Sequence, residues 1–267
     1  MNVIFGVYSG YNSLKTSKGG IYYFAKSLRK HNKDCKVIIL CERGKLFKEL
    51  EDLCNEYNFD IYSDFVFNYD LMLHRYEIYH QILEKWGSEK IDKIMLCDLD
   101  DIIFQGDPFS IQFDEQIYCA AECNILSDRD NGSSGLNRYW IEHASSVAEY
   151  NNNNFENQPV VCAGTILGTY SGIMNCLQFY LGVQRRKSGS KDFFDQGLYN
   201  IYIYNYIDAH SRKILPHRDS QILTLDSVVF DSLNVQDNKI VNDVGELYIV
   251  LHQINRCNPE FMKSLVD

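Results

Sequence analysis

The sequence predicts an α/β protein in one domain of 267 residues, with a mostly parallel central sheet flanked by helices. Three observations carry that expectation. Strand and helix signals alternate through the first half of the chain. The strand-like runs are almost wholly apolar, as strands covered on both faces must be. No internal repeat and no linker of shifted composition divides the chain.

Taken in order, "NVIFGVY" (2–8) reads as a buried strand, and Ile21, Phe24, Ala25 and Leu28 share one helical face over 19–31. "KVIIL" (36–40) is a second strand, followed by Leu46, Leu50, Leu53 and Tyr57 at helical spacing. "FDIYSDFVF" (59–67) is the third strand. Met72, Tyr76, Tyr79, Leu83 and Trp86 then form an amphipathic helix. "KIMLCD" (93–98) is the fourth strand. The second half is less regular. It predicts a strand at "IYCAAE" (117–122), a helix over 139–150, a polar surface loop at "YNNNNFENQ" (150–158) and a strand at "PVVCAGTIL" (159–167). Helices are expected over 172–187 and 192–206, and short strands such as "YIVLH" (248–252) close the chain.

Composition limits the function. Hydrophobic residues make up 45% and charged residues 23%, enough apolar material for a substantial core. A formal charge of −10 repels a phosphate backbone and argues against nucleic acid as a partner. The N-terminal "MNVIFGVYSG" reads as a strand and not as a signal peptide. The uncharged stretch 160–184, followed by "RRK", has the flank of a membrane span, but its Gly, Ser, Asn and Gln residues fit a buried strand, a turn and a helix better. Nine cysteines, mostly inside apolar runs such as "CKVIILC", read as buried thiols of a cytoplasmic protein. Cys119 and Cys123 lack the spacing and the nearby histidine of a zinc set.

The segment "IMLCDLDDIIFQGDPF" (94–109) then sets Asp98, Asp100 and Asp101 behind a buried strand. Clustered carboxylates repel one another unless a positive charge lies between them. They could cap the next segment or sit solvated in a turn. Their place at the carboxyl end of a buried strand, where open α/β sheets bind ligands, points instead to a divalent cation with oxygen ligands.

Two cation-using chemistries fit. "CDLDDIIF" resembles the first motif of haloacid dehalogenase-type phosphatases, which implies Asp98 as nucleophile and Asp100 as acid/base. In that family the motif opens the first strand, whereas three strand–helix units precede it here, and Ile102 stands at the Thr or Val position. The second resemblance runs along most of the chain. "IDKIMLCDLDDIIFQGDPF" (91–109), "FFDQGLYN" (193–200) and "YIVLHQINR" (248–256) resemble, in order, the Asp-x-Asp segment, the Asp-Gln helix start and the C-terminal metal histidine of nucleotide-sugar-dependent glycosyltransferases of the A fold, glycogenin and bacterial galactosyl- and glucosyltransferases among them. A sugar-binding module without catalysis is the further alternative.

The glycosyltransferase resemblance implies a Rossmann-like domain, with residues 1–101 as the nucleotide-sugar half and 102–267 as the acceptor half. It implies Mn²⁺ or Mg²⁺ held by Asp98, Asp100 and His252, with Asp98 and Leu99 also beside the donor. A looser group of transferases carries Asp-x-Arg-Asp here, which makes Asp98 and Asp101 the matching acids and keeps both alignments open. Val7, Tyr8, Ser9 and Tyr11 would hold the base of a UDP-sugar, and Arg75 would reach toward the phosphates or the first aspartate. Arg75 otherwise makes a surface ion pair. The chain departs from the glycogenin type after His252, where Arg256 would replace a lysine charge. Asp195 and Gln196 are the expected catalytic pair, set against a helix N-cap as the plain role of Asp195. Ala163, Gly164 and Thr165 would wall the acceptor side, and Trp140 is either a stacking surface or core. The acceptor is a saccharide or a protein- or lipid-linked glycan, and "DQGLYN" with a C-terminal histidine leans toward a retaining reaction.

Overall fold

A computed structural model describes residues 1–8, 20–66, 71–125, 132–148, 157–186, 195–216, 219–225, 233–256 and 259–266. Four strands, β1 (Val3–Tyr8), β2 (Lys36–Cys41), β3 (Asp60–Tyr62) and β4 (Lys93–Cys97), run parallel. Helices α1 (Ile21–His31), α2 (Lys48–Glu56) and α3 (Leu71–Trp86) connect them. After the short β5 (Ile102–Phe104) come β6 (Ile117–Ile125), α4 (Gly132–Ala148), β7 (Pro159–Thr169), α5 (Tyr170–Arg186), α6 (Asp195–Ile201) and β8 (Arg212–Leu215). These complete a seven-stranded sheet in the order β3-β2-β1-β4-β7-β6-β8, in which β7 alone runs against its neighbours.

The period-2 alternation of the strands explains the layering. Val3, Phe5, Ile38 and Leu40 face α3, α5 and α6, whereas Ile4, Tyr8, Val37 and Ile39 face α1 and α2. Both faces of the sheet are therefore covered, which is why the strands could be nearly all apolar. The stretch 160–184 divides between β7 and α5 with no intervening turn, and no helix among the described residues is long and apolar enough to cross a membrane. Cys35, Cys41, Cys54, Cys97, Cys119, Cys162 and Cys176 are buried thiols.

The structure departs from the sequence expectation in places. Helix α4 begins at Gly132, well before residue 139. The third strand shortens to Asp60–Tyr62, and the described chain leaves the sheet there at an exposed edge. The chain does not close on strands: after β12 (Val250–His252) comes helix α7 (Pro259–Val266). Strand β5 was not anticipated either, and it matters most. It pairs with β12, which in turn pairs with β9 (Ile222–Thr224), to make a second, three-stranded sheet. A hairpin of β10 (Asn234–Gln236) and β11 (Lys239–Val241) lies outside both sheets.

Helix α6 seats tightly on α4. A Cβ placed on Gly197 would lie 2.3 Å from the Trp140 carbonyl oxygen and 2.9 Å from Ala144 Cβ. Because a backbone carbonyl cannot swing aside, Gly197→Ala should lower stability by about 2 kcal/mol, as overpacking typically does. Urea denaturation checks this, and an unchanged midpoint contradicts the packing described.

Candidate metal centre

The site is built at the carboxyl edge of the large sheet, where β4 ends. The Asp98 amide donates to the Gly164 carbonyl at 3.1 Å, which locks the first acid beside β7. Leu99 then turns inward and is 2% exposed, packed in the core under α1 and α2. That inward turn corrects its expected place at the donor. Asp100 keeps much of its surface exposed, and its carbonyl accepts from Gly20. Strand β5 starts directly after Asp101, and its first residue, Ile102, is in register with His252. Asp101 therefore stands next to the histidine, and its carbonyl accepts from the Ile254 amide.

The result is a cluster of Asp98, Asp101 and His252 whose ligand atoms lie within 4.8 Å of one another. Nε2 of His252 is 3.5 Å from Asp98 Oδ2 and 3.7 Å from Asp101 Oδ1. Asp100 is not part of it. Of the two alignments left open by the sequence, the cluster matches the one with Asp98 and Asp101, because the β5–β12 register brings the acid three positions after Asp98 to His252.

Two further observations bear on whether a cation fits. Asp101 Oδ1 is buried and has no hydrogen-bond partner. Such an oxygen is costly unless a cation meets it, and here the His252 imidazole faces it at 3.7 Å without a hydrogen bond. Divalent ions take oxygen and imidazole ligands at about 2.1 Å, so ligand atoms must approach to about 3 Å; the observed separations need only small side-chain adjustments. The residues present therefore fit a hard divalent ion. At Gly164 a Cβ would lie 2.4 Å from His252 Cε1 and 2.8 Å from Asp98 Oδ2, so only glycine lets both ligands converge.

Arg75 supplies the next layer. It is 4% exposed, which corrects the alternative of a surface ion pair. Its Nη1 donates to Asp98 Oδ1 at 3.0 Å and its Nη2 to Asp195 Oδ2 at 2.7 Å. The Tyr76 hydroxyl also reaches Asp195 Oδ2, at 3.3 Å. Burial works against the Asp98 charge, but the His252 hydrogen bond and the Arg75 guanidinium outweigh it and hold its carboxyl well below the usual range. Burial pushes Asp195 up against the pull of Arg75. Asp101 is also raised by burial. Partial desolvation, then Asp101 and Asp98, push Asp100 up to about 6, although much of its surface is exposed. Burial opposes charge on His252, yet Cys162 and the two carboxylates draw it well above an ordinary histidine. The arrangement demands positive charge, from a ring proton or from an ion at Nε2.

The other expected residues divide. Asp195 is the first residue of α6, its Oδ1 accepting from the Gln196 amide at 2.8 Å, while its other oxygen serves Arg75. Gln196 borders the cavity but is tied into the protein: its Oε1 accepts from the Ala163 amide at 2.7 Å, and its Nε2 donates to Glu122 at 2.9 Å and Asn137 at 3.3 Å. Both amide hydrogens are spent inside the protein, so Gln196 acts as a clasp between α6, β7 and β6. Ala163 and Gly164 line a cavity of about 190 Å³, together with Asp98, Glu122, Asn137, Trp140, Cys162, Asp195, Gln196, His252 and Arg256. Thr165 is wholly buried, with Oγ1 lacking a hydrogen-bond partner, and is not among the lining residues. Trp140 is half-buried and borders the cavity; Arg256 is exposed at it. Tyr8 is buried against Phe47, and burial and then Asp100 push its hydroxyl up to about 12. Half-buried Val7 pairs with Leu40. Ser9 and Tyr11 lie outside the described residues.

Sequence reading missed Glu122 and Asn137 entirely, because neither stands in a motif. Glu122 did carry one signal: a lone carboxylate ending an apolar strand, as Asp98 does. Arg75→Leu should cost about 3 kcal/mol, since the part-buried Asp98 and Asp195 both lose their charged hydrogen-bond donor. Asp100→Ala should be neutral or stabilising. An acid whose folded pKa is raised destabilises the fold above that value, so the gain should be larger at pH 7 than at pH 4. Denaturant titrations at the two pH values check both, and an Asp100→Ala variant less stable at pH 7 contradicts the geometry.

Compared with known proteins, the chain matches no family model and no curated protein sequence, so the functional reading rests on the site itself.

Proposed function

We propose that this chain is a metal-dependent glycosyltransferase that moves a hexose from a UDP-sugar to a hydroxyl of a saccharide or a protein- or lipid-linked glycan. The parallel four-strand unit continued by an antiparallel β7 supports reading the fold as a Rossmann-like A-type glycosyltransferase domain. The observation that carries the functional reading is the convergence of Asp98, Asp101 and His252 at the carboxyl edge of that sheet, with Arg75 and Asp195 beside them. Mn²⁺ or Mg²⁺ held there would neutralise the charge that develops on a departing diphosphate.

The chain's own residues do the rest. Arg75 fixes Asp98 in one orientation, so the first ligand is set before any donor binds. His252 is held from behind, with Nδ1 3.4 Å from Cys162 Sγ and 3.5 Å from Thr224 Oγ1, which leaves Nε2 aimed at the two acids. The cavity of about 190 Å³ beside the acids suits one sugar ring. By scale, a cavity of about 150 Å³ holds a single benzene. The nucleotide must therefore lie outside it, toward the ends of β1 and β4. Asp195, tied to Arg75 and Tyr76, borders the sugar space as a buried fixed charge able to favour an oxocarbenium-like centre. Its Oδ2 is engaged by Arg75 and the Tyr76 hydroxyl and its Oδ1 by the Gln196 amide, so neither oxygen is aimed freely at an acceptor hydroxyl, which supports a retaining course.

A phosphatase reading requires Asp98 to attack phosphorus. Its Oδ1 is engaged by Arg75 and its Oδ2 faces His252, so neither oxygen is a free nucleophile. A sugar-binding module would bind free sugar without nucleotide, which the nucleotide measurement below separates from a transferase.

Mn²⁺ with UDP should raise the melting temperature more than either alone. Asp101→Ala and His252→Ala should abolish that gain, whereas Asp100→Ala should largely keep it. Thermal-shift measurement against UDP, GDP, CDP and ADP checks this, and no stabilisation by any nucleotide contradicts the proposal.

A further inference from the structure

Glu122 is a buried carboxylate that the proposed chemistry does not use. It sits on β6 within a register shift, after Ala121 pairs with Val161 and before Ile125 pairs with Pro159. Irregularities of this kind re-aim side chains and recur beside active sites. Here the result is a carboxylate 6% exposed that borders the same cavity as Asp98, Asp195 and His252. Its Oε1 accepts from Gln196 Nε2 at 2.9 Å and its Oε2 from Asn137 Nδ2 at 3.1 Å. These amides, and the Cys162 thiol that also hydrogen-bonds the group, are neutral donors to the carboxylate, which suits the acceptor-only ionised form. Of the roughly four lone-pair sites of a carboxylate, this leaves acceptor capacity toward the cavity.

A buried carboxylate held by neutral donors, two amides and a thiol, is an expensive way to brace two helices, because an amide in its place would desolvate at far lower cost. Its position explains the expense. The acids at the metal face a cation, and Asp195 faces Arg75, so Glu122 is the cavity carboxylate that these cations do not bond. Such a group accepts hydrogen bonds from hydroxyls and repels a second carboxylate brought into the same small space.

Resting on the glycosyltransferase reading, we propose that Glu122 is a specificity-determining residue for the donor: it accepts a hydroxyl of a neutral hexose and turns away hexuronic acids. The bond is made to a sugar group and not to the nucleotide, so it adds to UDP-hexose binding alone.

Calorimetric titration with Mn²⁺ and, in turn, UDP, UDP-glucose, UDP-galactose and UDP-glucuronate tests this. The wild-type chain should bind at least one UDP-hexose about 10-fold or more tightly than UDP-glucuronate, the scale of one hydrogen bond to a charged group. Glu122→Gln should leave UDP affinity within about 2-fold, weaken that UDP-hexose about 10-fold and nearly erase the discrimination. Glu122→Asp, which keeps the charge but withdraws it by one methylene, should lose the hexose grip while still rejecting the uronate, and it serves if the glutamine variant fails to fold. Unchanged UDP-hexose affinity in Glu122→Gln, or tight uronate binding by the wild type, overturns the inference while UDP binding leaves the glycosyltransferase reading standing. No UDP binding to any form overturns that reading and the inference with it.

Discussion

Charge burial at the end of β4 is the constraint around which this molecule is arranged. Asp98 lies where a parallel strand runs out of sheet, within bonding distance of a guanidinium on α3 and an imidazole on β12. A carboxylate in such a place is stable only while both cations stay aligned, because desolvation otherwise exceeds the attraction it recovers. Separate features answer to that demand. Gly164 withholds a side chain so that His252 and Asp98 can meet. Gln253, directly after His252, adopts a left-handed φ of 61°, a strained conformation for a non-glycine residue, and the chain turns sharply there. Strained backbone beside ionised groups belongs to a site whose geometry matters more than its stability.

The second sheet gives this geometry its rigidity. Strand β12 alone would end in an exposed loop; paired with β5 and β9 it fixes His252 against Ile102 and Thr224. Asp101 gains its position from that pairing, and so do the buried bonds that Gln105 makes to the carbonyls of Ile240 and Tyr248. The face that carries Asp98, Asp101 and His252 is thus set by hydrogen-bonded strands, and the opposite wall by the α4–α6 contact. The two walls border the cavity of about 190 Å³.

Much of this could be read from residue order. The four parallel strands followed from apolar runs separated by helical periodicity, and the aspartates fell at the strand end where ligands bind. Arg75, Asp98, Asp195 and His252 were singled out from the sequence, and the structure gathers all four. What could not be read had a common cause. Choosing between Asp100 and Asp101 depends on β5, a strand of three residues too short to show alternation. The burial of Leu99 depends on which way a turn folds. Gln196 and Glu122 are defined by partners far apart in the chain, and pairing at a distance leaves no trace in local spacing. The sequence departs from the glycogenin pattern after His252, where the chain enters a tight turn and then α7.

The central claim is that the three-ligand cluster binds a divalent ion to which a nucleoside diphosphate adds. The most direct measurement is electron paramagnetic resonance of Mn²⁺ titrated into the protein with and without UDP, reading the free-ion signal. The account predicts one Mn²⁺ per chain and an affinity that UDP raises at least about 5-fold, with Mn²⁺ raising UDP affinity by the same factor, since coupling between bound ligands is reciprocal. Mn²⁺ that stays free, or binds equally well with and without UDP, would contradict it.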